Sequence, residues 1–246
     1  MKSTQAPGPS LYLTLALVSA GGLAYEILLL RVFSYSQWHH FASLAVSLAL
    51  LGFGAAGTLL AVLGRRAVRW GDGFFLAGLL IGALGMIASY LLPQAITVRP
   101  LFAVWDYREL GKLLLLDFVS FVPFFGLALC IGQVFIRWPE HTPKLYAANL
   151  IGSGLGSLAA TLLLSVVPLE TALLLVPLAV LASGGAFALF RPGLRAPAVG
   201  AVAGACALFV WIAAGPPNLP LSDFKRLSYL LDLPDAEILE EKPGLR

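Results

Sequence analysis

Charge is what this sequence has least of. Only 12% of its 246 residues are Asp, Glu, Lys or Arg, about half the share found in a soluble domain. The polar surface is too small to cover a globule of this size in water, so lipid must be the solvent for most of it. The net charge of +3 is small and dispersed, which excludes nucleic acid as a partner. There are two cysteines, Cys130 and Cys206. Both fall in apolar runs and read as small buried residues rather than as a disulfide. The three histidines have no cysteines at zinc-binding spacing, so neither a metal nor another cofactor is expected.

Apolar residues are what is abundant, at 59%. A spanning helix needs about 20 of them in a row, and seven stretches qualify: about 10–33, 40–63, 73–93, 113–136, 145–167, 169–190 and 196–214. The expected fold class is therefore all-α, a polytopic transmembrane helix bundle of about seven spans over residues 1–214. The first stretch has some features of a secretory signal: Lys2, an apolar run from Leu11, and Val18-Ser19-Ala20 as a cleavage site. The run continues to Leu30 and the leader carries one positive charge, so the segment is kept as a helix.

The breaks between spans are chemical. Gly64-Arg65-Arg66 closes the second, Pro93 the third and Arg137-Trp138-Pro139 the fourth, while Pro168 separates the fifth from the sixth and Arg191-Pro192-Gly193 closes the sixth. Pro123 and Pro177 fall inside helices. Residues 94–112, with Arg99, Trp105, Asp106, Tyr107, Arg108, Glu109 and Lys112, suit either an interfacial surface helix or a solvated loop. Counting Lys and Arg near the span ends gives eight on the N-terminal side and six on the other, a weak bias toward an N-terminus inside. Residues 215–246 form a linker and a short tail. Ser222 caps a helix with Phe224, Leu227, Leu230 and Leu231 on one face, Pro234-Asp235 makes a turn, and Glu237 to Glu240 suit a strand. This reads as the truncated start of an α/β domain.

A few residues could carry chemistry. Glu26 and Arg31 lie in the first span, where a charge costs about 2.5–3.5 kcal/mol on insertion scales. They are five apart and offset on the helix, so each should find its partner on another helix. Asp117 and Asn149 sit one turn into the fourth and fifth spans, where either would line a polar cavity; Asn149 equally suits an interhelical hydrogen bond. His39 and His40, after Trp38, fit an interfacial aromatic belt, with proton relay or haem ligation as the alternative. Gly52, Gly54 and Gly57 match the letters of a dinucleotide fingerprint, but they lie in an apolar helix without the strand that motif needs. Together with Gly152, Gly154 and Gly156 they are expected to form close helix-packing faces.

Two stretches resemble one family. Ala24-Tyr25-Glu26-Ile27-Leu28-Leu29-Leu30-Arg31-Val32-Phe33 is similar to the first helix of the membrane module of bacterial spermidine synthase-like proteins. The glycine-rich second helix and Tyr146-Ala147-Ala148-Asn149-Leu150-Ile151-Gly152 also fit that module. Ser222-Asp223-Phe224-Lys225-Arg226-Leu227, followed by Leu233-Pro234-Asp235-Ala236-Glu237, resembles its junction with an aminopropyltransferase-like domain. The resemblance implies a multi-pass protein of the bacterial inner membrane, a major-facilitator-like membrane part and polyamine chemistry in a full-length protein. Gly57, Gly64, Arg65 and Arg66 keep the spacing of the transporter loop motif, but Ala61 and Val62 stand where its charged residues belong. The glycine-rich loop and acidic residues of the catalytic domain have no counterpart in this sequence. The implied function is an anchor or interaction module whose catalytic domain is not in this chain. A small-molecule or ion transporter unit and a structural subunit of a larger complex are the alternatives. The expected partners are the lipid bilayer and either a second copy or other membrane subunits.

Overall fold

A computed structural model describes residues 6–36, 42–96, 98, 105–189, 191, 193–217 and 219. The described chain is helical: α1 (Pro9–Ser36), α2 (Ala42–Leu63), α3 (Arg65–Arg69), α4 (Gly71–Ala95), α5 (Tyr107–Arg137), α6 (Thr142–Val166), α7 (Leu169–Leu189) and α8 (Arg195–Ala213), with a 3₁₀ turn at Pro139–His141 before α6. All but α3 are long and apolar enough to cross a bilayer, which makes seven candidate spans. His39, His40, Arg99 and every residue of the tail reading from Ser222 onward lie outside the described residues.

Two expected boundaries move. Pro93 does not close α4, which runs on to Ala95, with Ile96 N–H bonded to Leu92 O at 3.0 Å. A proline in the last turn removes a single ladder bond, so the helix survives it. The segment 94–112 is shorter than expected, because α5 starts at Tyr107. Asp106 caps it by accepting from Arg108 N–H at 2.8 Å, and Lys112 pairs with Glu109 at 2.6 Å. Local side-chain bonds of this kind stabilise a helix start that hydropathy does not mark. Pro123 and Pro177 lie inside α5 and α7, both buried. Cys130 is fully buried; Cys206 is instead exposed on the outer face of α8.

The helices alternate in direction. One end of the bundle, the near end, holds the start of α1, all of α3, the α5–α6 turn and the α7–α8 connection. The far end holds the α6–α7 turn and the end of α8. Side-by-side register follows from the close contacts. Gly152 and Gly156 of α6 meet Ala16 and Ala20 of α1, so these two run parallel; Gly52 of α2 meets Phe124 and Phe125 of α5, and Leu60 meets Gly132, so these also run parallel. α4 packs antiparallel on α5 through Gly78, Gly82, Gly85 and Gly126, α7 packs on α1 and α4, and α8 packs mainly on α7, with its Trp211 edge-on to Tyr90 of α4 at 5.8 Å. With α8 left aside, exchanging α1 with α5, α2 with α6 and α4 with α7 maps the principal contacts of the other six spans onto themselves. That is the pairing pattern of two three-helix units in inverted orientation. α1, α4, α5 and α7 form the centre, while α2, α6 and α8 lie at the periphery with large lipid-facing surfaces.

Candidate functional site

The polar groups inside the spans mostly tie helices together. Tyr25 of α1 is buried between α4 and α5. Its hydroxyl lies 2.5 Å from Ser89 Oγ, and its ring stands 5.4 Å from that of Phe124. Ser89 Oγ already donates to Met86 O at 2.8 Å. A hydroxyl has one proton, so Tyr25 must be the donor to Ser89. On the other side of α1, Ser19 Oγ lies 2.8 Å from both Leu15 O and Asn149 Oδ1. Both contacts are satisfied together when the Asn149 amide presents its NH₂ to Ser19, an orientation that carbon-frame geometry alone does not fix. Asn149 is therefore an α1–α6 hydrogen bond.

Glu26 and Asp117 differ from these. Both are half-buried, and among the described residues neither carboxylate has a hydrogen-bond or ion-pair partner. The donor expected for Glu26 on another helix is thus not among them. Ser19, Gly22 and Glu26 share one stripe of α1, between the side that meets Asn149 of α6 and the side that meets Leu127 of α5. Tyr25 lies opposite Phe124 and Gly22 opposite Leu127. This antiparallel register puts Asp117 level with the end of α1, about 9 Å along the axis from Glu26. Counting back from Arg137, Asp117 lies about 30 Å away, one hydrocarbon thickness. It therefore sits at the far interface, whereas Glu26 remains inside the hydrocarbon. Arg31 is half-buried, one turn and more beyond Glu26 toward the far end. The three candidates Glu26, Asp117 and Asn149 are strung along the bundle rather than gathered at one point.

The glycines divide by face. A Cβ on Gly152 would lie 2.1 Å from Ala16 O, and one on Gly156 would lie 2.2 Å from Ala20 O; one on Gly52 would lie 2.6 Å from Phe124 Cβ. At Gly54, Gly57 and Gly154 an added Cβ meets nothing within 4 Å. The packing role expected of all six belongs to Gly52, Gly152 and Gly156. Gly54 and Gly154 point outward because a GxG pair puts its second glycine about 200° around the helix, and Gly57, five residues after Gly52, is turned about 140° from it.

The densest polar cluster is at the near end, among residues that hydropathy reading passes over. Asp72 accepts from Arg137 Nη1 and Arg191 Nη1, each at 2.5 Å, joining α4 to α5 and to the segment after α7. Arg137 also stacks over Trp138 and Arg191 over Phe187. Gln133, wholly buried, donates to Ala67 O at 3.3 Å and Gly71 O at 2.9 Å, while its Oε1 has no partner. A glutamine in an apolar run was a legible signal. Asp72 was not, since its partners lie 65 and 119 residues away in sequence. At the far end Tyr90 Oη donates to Pro217 O, and Leu219 N–H donates to Glu170 Oε1 at 3.2 Å. These bonds strap the chain after α8 to the ends of α4 and α7. Among the described residues no three His, Cys, Asp or Glu side chains gather as a metal site would require. Comparison with protein-family models, curated proteins and solved structures finds no match.

Proposed function

We infer that this chain is a membrane-embedded anchor and interaction module of a spermidine synthase-like protein. One observation supports it best. Three of the residues that carry the family resemblance hold helices together: Tyr25 joins α1 to α4 and α5, while Asn149 and Gly152 join α6 to α1. Side chains fixed in helix contacts serve a scaffold better than a moving transport path. A bilayer-spanning scaffold would hold a polyamine-forming domain at the inner membrane.

The reading makes a topological demand. Seven spans place Pro217 and Leu219, the strapped residues after α8, at the end opposite the N-terminus. An aminopropyltransferase draws its nucleotide-derived substrate from the cytosol, so the far end must face inward. The charge count at the two ends opposes this: Arg65, Arg66, Arg69, Arg137, Lys144, Arg191 and Arg195 lie at the near end, which the positive-inside rule would place in the cytosol. A cysteine at Ser228, probed on intact cells with an impermeant thiol reagent after Cys206 is changed to Ala, decides between them. Labelling only after permeabilisation supports the anchor reading; labelling of intact cells refutes it.

A transporter unit is the second reading, and a different observation favours it. Glu26 and Asp117 are carboxylates without partners among the described residues, on helices that the inverted exchange relates. Uptake of a labelled polyamine or inorganic ion by proteoliposomes containing this chain alone, lost in Glu26→Gln, would establish it in place of the first.

A further inference from the structure

The near end carries a feature that neither reading uses. α3 is a single short helix between two spans. Ala67, on its inner side, is fully buried against α2 and α5. Gln133 of α5 holds the Ala67 and Gly71 carbonyls from below. The outer side presents Arg65, Arg66 and Arg69, all exposed, followed by Trp70, 54% exposed and stacked on Phe74 at 5.5 Å. Among the described residues none of the three arginines has an ion pair. The nearest acid in sequence, Asp72, is already engaged by Arg137 and Arg191. The helix is thus clamped at the level where a span ends, with three guanidinium groups free of internal counter-charge and a tryptophan beside them. Guanidinium matches phosphate oxygens in two-pronged geometry, and tryptophan settles at the headgroup level.

We propose that α3 is a binding platform for anionic phospholipid headgroups. The phosphate chemistry it selects is presented by the bilayer leaflet in which the near end sits. This inference depends on the bilayer placement and is independent of the anchor and transporter readings. Two arguments separate it from a diffuse basic rim. The backbone of α3 is fixed by Gln133 and by the buried Ala67, so binding has to order the arginine side chains but not the segment that carries them. Their charges are also uncompensated locally, whereas those of Arg137 and Arg191 share one carboxylate.

The test reconstitutes the full chain in phosphatidylcholine vesicles containing a minor share of phosphatidylglycerol, with bromine on the acyl chains of one lipid at a time. Trp70 fluorescence is taken as the part of the signal that Trp70→Phe removes. Brominated phosphatidylglycerol should quench it as though enriched roughly fivefold or more over its bulk share. The excess should vanish near 0.5 M NaCl, where the Debye length is about 4 Å. The triple change R65Q/R66Q/R69Q should abolish the excess, while K144Q/R195Q should leave it. Inorganic phosphate should reduce it no more than NaCl of equal ionic strength. Equal quenching by both lipids in the unmodified chain overturns the proposal, whether or not the triple variant folds. So does an equal loss in both charge variants, which would mean a diffuse rim, or displacement by inorganic phosphate beyond the ionic-strength effect, which would mean a free-anion site.

Discussion

Adding one methyl group to Gly156 tests how α6 is held. Its Cβ would lie 2.2 Å from Ala20 O, 2.6 Å from Ala20 Cα and 2.7 Å from Ala20 C, while ordinary contact begins at 3.4 Å, a shortfall of 1.2 Å. All three atoms are backbone, so no side chain can swing away and α6 must back off from α1. A gap of about 1 Å forfeits a quarter to a half of each dispersion contact along the shared face, and overpacking of this kind costs about 1–3 kcal/mol. Alanine regains about 1 kcal/mol of helix propensity over glycine. The net expectation for Gly156→Ala is a loss of about 0–2 kcal/mol. Gly154→Ala, two residues away with nothing within 4 Å, keeps only the propensity gain of about 1 kcal/mol. For a chain of this size 1 kcal/mol shifts Tm by about 2–4 °C, so the two variants, about 1–3 kcal/mol apart, should separate by roughly 2–12 °C in a detergent melt. The double variant Gly152→Ala/Gly156→Ala should lose less than the sum of its parts, because one displacement of α6 relieves both clashes. If Gly156→Ala melts as high as Gly154→Ala, the backbone-to-backbone packing of α1 and α6 is refuted.

Other outcomes follow from the same contacts. Asp72→Asn should destabilise the protein by about 1–3 kcal/mol, between the surface and buried limits for ion pairs. In urea-denaturation double-mutant cycles its effect should be strongly non-additive with Arg137→Gln and Arg191→Gln; additivity would mean the shared carboxylate contributes nothing. Ser19→Ala and Asn149→Ala should couple by about 0.6–1.7 kcal/mol, the range for intramembrane hydrogen bonds, and zero coupling in the same kind of cycle would remove Asn149 from the α1–α6 contact. Cysteines placed at Gly193 and at Pro217, on opposite ends of the bundle, should show opposite labelling by an impermeant reagent before and after permeabilisation; identical behaviour would contradict seven spans.

Composition and apolar run length alone determined that this chain is a seven-span helical membrane protein. Lipid offers no partners for backbone polar groups, so a long apolar run has no structure open to it but a helix. The glycine spacing at Gly152 and Gly156 likewise announced a close contact, because residues four apart share a face. What sequence left undetermined was which glycines face inward, since both faces of α2 and α6 carry small residues and lipid tolerates either. That was decided by which neighbour each helix met: α1 took the face with Gly152 and Gly156 and left Gly154 outside. The same holds for charge. Glu26 stood out because its cost in hydrocarbon can be read from one helix. The joining of Asp72 with Arg137 and Arg191, and the capture of α3 by Gln133, depend on segments brought together only when α4, α5 and α7 pack. Depth can be counted along one helix, whereas partnership between distant residues is settled only by the tertiary fold.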